Sequence, residues 1–233
     1  MSIPLITAHT GCMNTEANTL ESVVEGIRHG ADVVEVDVRA TRDGISVLAH
    51  DVHVPVGDRL LPIMDMDYVN SGLTRLDEVL ELVKRHNKIA NLDLKTIDAA
   101  DSMIECVQSL DMLDRVIVTG CHQREASELK RRYSKVQVLL NTDVEWFDGR
   151  DYNEAVNHAC RIAVDTGCCG ININYKYVRS QLIDRASQLY LPVSVWTVDD
   201  IFVMKSLVDM GAHSITTNKV YELSLLLNNS STS

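Results

Sequence analysis

Two carboxylates, Glu35 and Asp37, stand two residues apart inside the valine run "VVEVDV" (residues 33–38). Branched apolar residues argue for a buried strand, where an unpaired charge is costly. Side chains alternate along a strand, so the two acids share one face. The stretch "NLDLK" (91–95) repeats the device, with Asp93 and Lys95 on one face, while His9 ends an apolar run and His50 ends "VLAH" (47–50). Carboxylate oxygens are hard ligands and favour one divalent cation such as magnesium, calcium or manganese over zinc. Imidazoles titrate near neutral pH and suit proton transfer. A cation beside a lysine can hold and polarise a phosphoryl group. The chemistry indicated by these residue types is metal-assisted cleavage of a phosphate ester.

That reading requires a scaffold that gathers the six side chains at one place. Short apolar runs predict strands near 3–8, 32–38, 89–95, 115–119, 136–140, 169–174, 193–197 and 214–217. Amphipathic stretches predict helices near 18–29, 74–86, 99–110, 122–132, 153–166, 177–189, 200–210 and 220–227. In "LTRLDEVLELVKRH", Leu76, Val79, Leu80 and Val83 recur at helical spacing with the charges on the other face. Eight strands each followed by a helix is the count of an α/β fold, the (β/α)8 TIM barrel, whose chemistry sits at the C-terminal ends of its strands. An open doubly wound sheet is the alternative, lowered because no Gly-rich nucleotide fingerprint follows any strand. Residues 51–73 carry no strong periodicity and read as a short lid loop after the second strand. With no linker dividing the chain, one domain is expected over 1–228, followed by a disordered tail over 229–233.

Composition narrows the partners. Acidic residues outnumber basic ones 33 to 22 with no basic stripe, which argues against nucleic-acid binding. No apolar run is long enough to span a bilayer, and "MSIPLITAHTG" lacks the marks of a signal peptide. The six cysteines show no CxxC pair, so reduced thiols in a cytoplasmic protein are expected, with Cys12 the one near a motif. The oligomeric state is left open.

The stretch "ITAHTGCMNTEANTLESVVEGIRHGADVVEVDVRATRDGISVLAHD" closely resembles the glycerophosphodiester phosphodiesterase family, with its initial His-Arg-Gly, then Glu-x-Asp-Val, Thr-x-Asp-Gly and His-Asp in that order. "TRLDEVLEL", "NLDLK" and the closing "VWTV" and "GAHSITTN" resemble later family segments. The resemblance implies a (β/α)8 barrel that cleaves glycerophosphodiesters to glycerol 3-phosphate and an alcohol, through attack by the neighbouring glycerol hydroxyl. It implies His9 and His50 as the acid–base pair, Glu35, Asp37 and Asp93 as the metal acids, and Lys95 as a phosphate contact. Trp196, at the end of the seventh strand, is expected against the glycerol or alcohol portion.

The departures are specific. Thr10 replaces the arginine after the first histidine, Ala17 replaces a glutamate, Asp93 stands where glutamate is more usual, and Asn218 replaces a terminal aspartate. A hydroxyl cannot replace a bidentate guanidinium on phosphate, and Arg59 in the lid loop is the nearest substitute. Two other readings stay open at this point. One is a lyase that forms a cyclic phosphate from a lysophospholipid-like diester; the other is a catalytically impaired barrel that only binds an anionic ligand.

Overall fold

The apolar periodicity read over 74–86 becomes a helix, Leu76–Arg85, that buries Leu76, Val79, Leu80 and Val83. The same pattern recurs along the chain in a computed structural model that describes residues 3–149 and 151–230. In chain order, β1 (Leu5–Ala8) leads to α1 (Leu20–Arg28). β2 (Val33–Ala40) is followed by β3 (Ser46–Leu48), β4 (His53–Val56) and β5 (Arg59–Pro62) before α2 (Leu76–Arg85). Then come β6 (Ile89–Leu94), α3 (Ala100–Ser109), β7 (Val116–Cys121), α4 (Gln123–Arg132), β8 (Gln137–Asn141) and α5 (Tyr152–Asp165). The chain closes with β9 (Gly170–Asn174), α6 (Ser180–Gln188), β10 (Val193–Trp196), α7 (Ile201–Met210), β11 (Ser214–Thr217) and α8 (Val220–Ser230).

The sheet runs β1-β11-β10-β9-β8-β7-β6-β2, and pairing of β1 with β2 (Thr7 with Val33, Ala8 with Val34) closes it into a parallel barrel. This is the (β/α)8 barrel. Every predicted strand and helix is present; the largest boundary differences are α6 starting at 180 rather than 177 and α8 reaching 230 rather than 227. α8 thus runs through the first two residues of the stretch expected as tail, and residues 231–233 lie outside the described ones. Side-chain caps begin several helices: Thr19 accepts from the Ser22 amide, and Asp200 accepts from the Phe202 and Val203 amides. Each such cap contributes about 1 kcal/mol. Gly211, at φ 90°, ends α7 in the left-handed region that glycine adopts without cost.

Two features depart from the sequence reading. The chain after β2 folds straight back, so that β3 lies antiparallel on the end of β2 (Val38 opposite Leu48, Ala40 opposite Ser46). The segment read as a featureless lid contains the β4–β5 hairpin, and its Val54, Ile63 and Met66 pack with Val47 and Ala49 at the end of the preceding β3 stretch into a small core separate from the barrel's. The hairpin strands are four residues each, carry Pro55 and Pro62, and leave Arg59 and Leu60 exposed, too short and one-sided to show alternation in sequence.

The barrel interior is polar as well as apolar. Thr7, Asn91, Asn141, Asn172, Ser194 and Thr216 line cavities along its axis, where bulky aliphatic residues usually fill a barrel of this type. Among the described residues, no helix is long and apolar enough to cross a membrane.

Candidate active site

The "VVEVDV" run forms β2, and both of its acids are buried, Glu35 to 6% exposure and Asp37 to 4%. Parallel pairing with β6 sets Asp37 directly beside Asp93 and Glu35 beside Asn91. Glu35, Asp37 and Asp93 each bring a carboxylate oxygen within 4.8 Å of the others. Lys95 Nζ lies 2.7 Å from Asp37 Oδ1 and 2.7 Å from Asp93 Oδ2. Burial, then Asp37, then Asp93 push the Glu35 carboxyl up to about 8, because a third negative charge is costly in so dry a place. Burial opposes the Lys95 ammonium, but Asp93 and Asp37 more than offset it and raise its pKa. Three carboxyls against one ammonium, all oxygen donors, fit a hard divalent cation.

The loop between β1 and α1 is built around these acids. The Thr10 amide donates to Glu35 Oε2 at 2.9 Å, and Asn18 brackets Asp37, its Nδ2 donating to Oδ2 at 2.9 Å and its Oδ1 accepting from the Asp37 amide at 3.1 Å. Thr10 Oγ1 accepts from the Asn18 amide at 2.6 Å. Met13, Asn14 and Asn18 all adopt positive φ (56°, 63° and 61°), and the bracket on Asp37 holds the last of them in place. Where the family pattern has arginine, this chain therefore has a short hydroxyl that fastens the loop. On the other side of the cluster, a Cβ on Gly120 (φ +76°) would lie 2.3 Å from Asp93 Oδ1 and 2.6 Å from the Leu94 carbonyl, so only glycine leaves Asp93 room.

A cavity of about 790 Å³ opens above the acids, lined also by His9, His50, Lys95 and Trp196. The two histidines are held differently. His9 Nδ1 lies 3.0 Å from Asn218 Oδ1, while the Asn218 amide Nδ2 and backbone N–H donate to the two Asp199 oxygens, both at 2.8 Å. A carboxylate only accepts, so the Asn218 amide orientation is fixed and His9 Nδ1 is the donor. Neutral His9 thus keeps its lone pair on Nε2, which lies 3.9 Å from Glu35 Oε2. His50 Nδ1 instead donates to Asp51 Oδ1 at 3.0 Å, and Arg39 grips the His50 carbonyl with Nε at 3.2 Å and Nη2 at 2.7 Å. The indole Nε1 of Trp196 is buried without a hydrogen-bond partner.

The expected set converges with one exception. Arg59 is exposed beside the tight turn of the hairpin, paired with Val56, and is not among the residues lining the cavity. Arg59 is the first residue of β5, at the tip of a separate hairpin, which turns it to solvent. Cys12 is buried, which raises its thiol pKa and favours the unreactive form. Residues that went unread in sequence include Asn18, which brackets Asp37, Glu125, which lines the cavity, Asp199, which orients Asn218, and His122 with Asp143, whose Nδ1 and Oδ1 lie 2.6 Å apart beside the cavity. Their signal was positional, each following a barrel strand at its C-terminal end.

Residues 9–102 and 59–222 match the profile of the glycerophosphoryl diester phosphodiesterase family, two overlapping segments that run together from 9 to 222. A protein of Caldanaerobacter subterraneus named glycerophosphodiester phosphodiesterase is 21% identical over 237 residues, covering 92% of this chain and 93% of its own. The crystal structure of a glycerophosphodiester phosphodiesterase from Parabacteroides distasonis superposes with a TM-score of 0.79 at 23% identity, covering 98% of each chain. An Oleispira antarctica phosphodiesterase, solved with the product sn-glycerol-3-phosphate, superposes with a TM-score of 0.77 at 16% identity, covering 99% of this chain and 98% of its own. Buried paired acids on adjacent strands, a barrel that gathers them beneath two histidines, and a profile match along most of the sequence lead to one assignment: the chain belongs to the glycerophosphoryl diester phosphodiesterase family of phosphoric diester hydrolases.

Proposed function

We propose that this protein hydrolyses glycerophosphodiesters to glycerol 3-phosphate and an alcohol, with Glu35, Asp37 and Asp93 holding one divalent cation and His9 and His50 moving the protons. The observation that carries the reading is the convergence of three carboxylate oxygens within 4.8 Å beneath a cavity lined by both histidines. When bound, the cation would draw negative charge from the phosphoryl oxygens as a Lewis acid. Lys95, released from part of its ion pairing, contacts the phosphate, and Trp196 packs against the glycerol or alcohol portion.

In this reading the two histidines take distinct roles. His9 donates Nδ1–H to a neutral amide and keeps Nε2 free to accept, the state of a general base. It takes the proton of the glycerol hydroxyl next to the phosphate as that oxygen attacks phosphorus. His50 Nδ1 donates to the Asp51 carboxylate, which orients the ring at the cavity, and His50 takes the general-acid role. It gives a proton to the alcohol oxygen as the P–O bond to the leaving group breaks. Water then opens the cyclic ester with the proton transfers reversed. In the second step one P–O bond of the ring is exchanged for the oxygen of water, leaving the monoester.

The test is release of glycerol 3-phosphate from glycerophosphodiesters by the purified protein with magnesium, calcium or manganese, followed by phosphorus NMR. Turnover to the open monoester is expected. A cyclic phosphate accumulating as the end product would point to the lyase chemistry instead, and no turnover with the cation bound would overturn the reading.

A further inference from the structure

The catalytic cavity has a second pole that the reaction outlined above does not use. β7 ends beside Asp93, and two residues past Gly120 the chain places His122, whose Nδ1 lies 2.6 Å from Oδ1 of Asp143 at the end of β8. Glu125, in the first turn of α4, lines the same cavity, as does Asn141, whose Oδ1 accepts from the Gly120 amide. Around the barrel the order is His9 on the β1 side, then the acids of β2 and β6, then His122 and Asp143 on the β7 and β8 side. The acids therefore stand between His9 and this dyad.

The charges are unequal along that line. Among the described residues, Lys95 is the one lysine or arginine lining the cavity, and it is engaged by Asp37 and Asp93. Arg124, next to Glu125 in the chain, is exposed and does not line it. With a divalent cation among the three acids, one end of the cavity suits a phosphate. The other end presents the Glu125 carboxylate and a histidine whose donor nitrogen is taken by Asp143, leaving Nε2 of neutral His122 as an acceptor. A cavity of about 790 Å³ has room for both ends of a diester at once.

The geometry points to a leaving-group subsite formed by His122, Asp143 and Glu125 that selects diesters whose alcohol carries a protonated amine, so that the favoured substrate is zwitterionic. The inference rests on the hydrolytic reading above and specifies the alcohol. Glu125 and His122 Nε2 accept from the ammonium N–H groups, and Asp143 positions His122 by holding its tautomer. A neutral polyol offers weaker donors and no charge to meet Glu125, and a quaternary ammonium offers charge without N–H.

The experiment compares sn-glycero-3-phosphoethanolamine with glycerophosphoglycerol, in the wild-type enzyme with magnesium and in Glu125→Gln, Asp143→Asn and His122→Phe. For the wild type, kcat/KM is expected to favour the ethanolamine diester by about tenfold, the scale of one charge-assisted contact at a partly exposed rim. That ratio should fall toward one in all three variants, chiefly through KM. His122→Gln, which keeps a hydrogen-bonding group, should retain part of it. A second readout is independent of turnover: calorimetry on His9→Ala with magnesium should show the same preference in Kd, lost when Glu125→Gln is added. Equal hydrolysis of both diesters, or variants that lower both alike, would overturn the subsite and leave the hydrolytic reading standing. If neither diester is hydrolysed yet the Kd preference persists, the hydrolytic reading fails and the subsite stands. Absence of any preference in Kd overturns the subsite.

Discussion

His9 and His50 reach the same cavity with contrasting support. His9 side chain is 36% exposed, sits at the end of a barrel strand, and is anchored through Asn218 to Asp199 on the two neighbouring strand ends. His50 side chain is 72% exposed, follows the antiparallel β3, and leans on the carboxylate next to it in sequence while Arg39 holds its backbone. One imidazole is set against a neutral acceptor by a contact that spans the chain, the other against an anion by a local one. The barrel supplies the first partner and the segment appended after β2 supplies the second, so one ring is oriented by the closed sheet and the other by a local contact at its rim.

The largest effect that could break this contrast is loss of the acids both histidines flank. Glu35→Gln or Asp37→Asn should abolish cation-dependent turnover. Glu35→Gln should leave the folded state as stable or more so, since it removes a buried acid beside Asp37 and Asp93. Asp37→Asn also removes one partner of the buried Lys95 pair and should be destabilising. Urea melts beside activity assays check both halves. His9→Ala and His50→Ala should each lower turnover by roughly a hundredfold or more on a diester with an ordinary alcohol. The two should separate when the leaving group is a nitrophenol, which departs without a proton: His50→Ala recovers most of its loss and His9→Ala does not. Equal losses on both substrates would erase the distinction between base and acid.

A smaller change sharpens it. Asn218→Asp places a carboxylate against Asp199, where the amide now donates at 2.8 Å, and gives His9 the kind of partner His50 has. Turnover is expected to fall by up to about tenfold with KM little changed, because the new carboxylate faces Asp199, while nitrogen NMR of His9 should still report Nδ1 as a protonated nitrogen. Asp51→Asn should cost less, a few-fold, because its pair with His50 is exposed to solvent.

How much of this was legible before the fold was known follows from range. Helices declared themselves through local period, and Glu35, Asp37 and Asp93 through the oddity of charge in apolar runs. Lys95 followed from alternation on the same strand. The His9–Asn218 contact joins residues 209 apart, and nothing local in "TTN" distinguishes an asparagine that orients a histidine from a departure from a family pattern. His122 and Asp143 come from separate strand ends and meet only after the barrel closes. Arg59 misled because proximity along the loop was taken for proximity to the site, and a hairpin packed on a small separate core turned it outward.

A further expected effect lies in stability against pH. Glu35 has its pKa raised from 4.5 to about 8 in the cation-free fold, so between those values the folded state holds a proton that the unfolded chain has released. Stability of the cation-free protein should therefore decline as pH rises across that window, and Glu35→Gln should flatten the decline. Added divalent cation should reverse it, since ionised Glu35 then has a partner.

The central claim, that three carboxylates from adjacent strands share one cation on which turnover depends, is tested most directly by manganese titration of the chelator-treated enzyme, followed by calorimetry and by glycerol 3-phosphate release in the same samples. One ion per chain is expected, with activity rising in step with occupancy and both lost in Glu35→Gln and in Asp93→Asn. Full activity after chelation, or undiminished manganese binding in both variants, would contradict it.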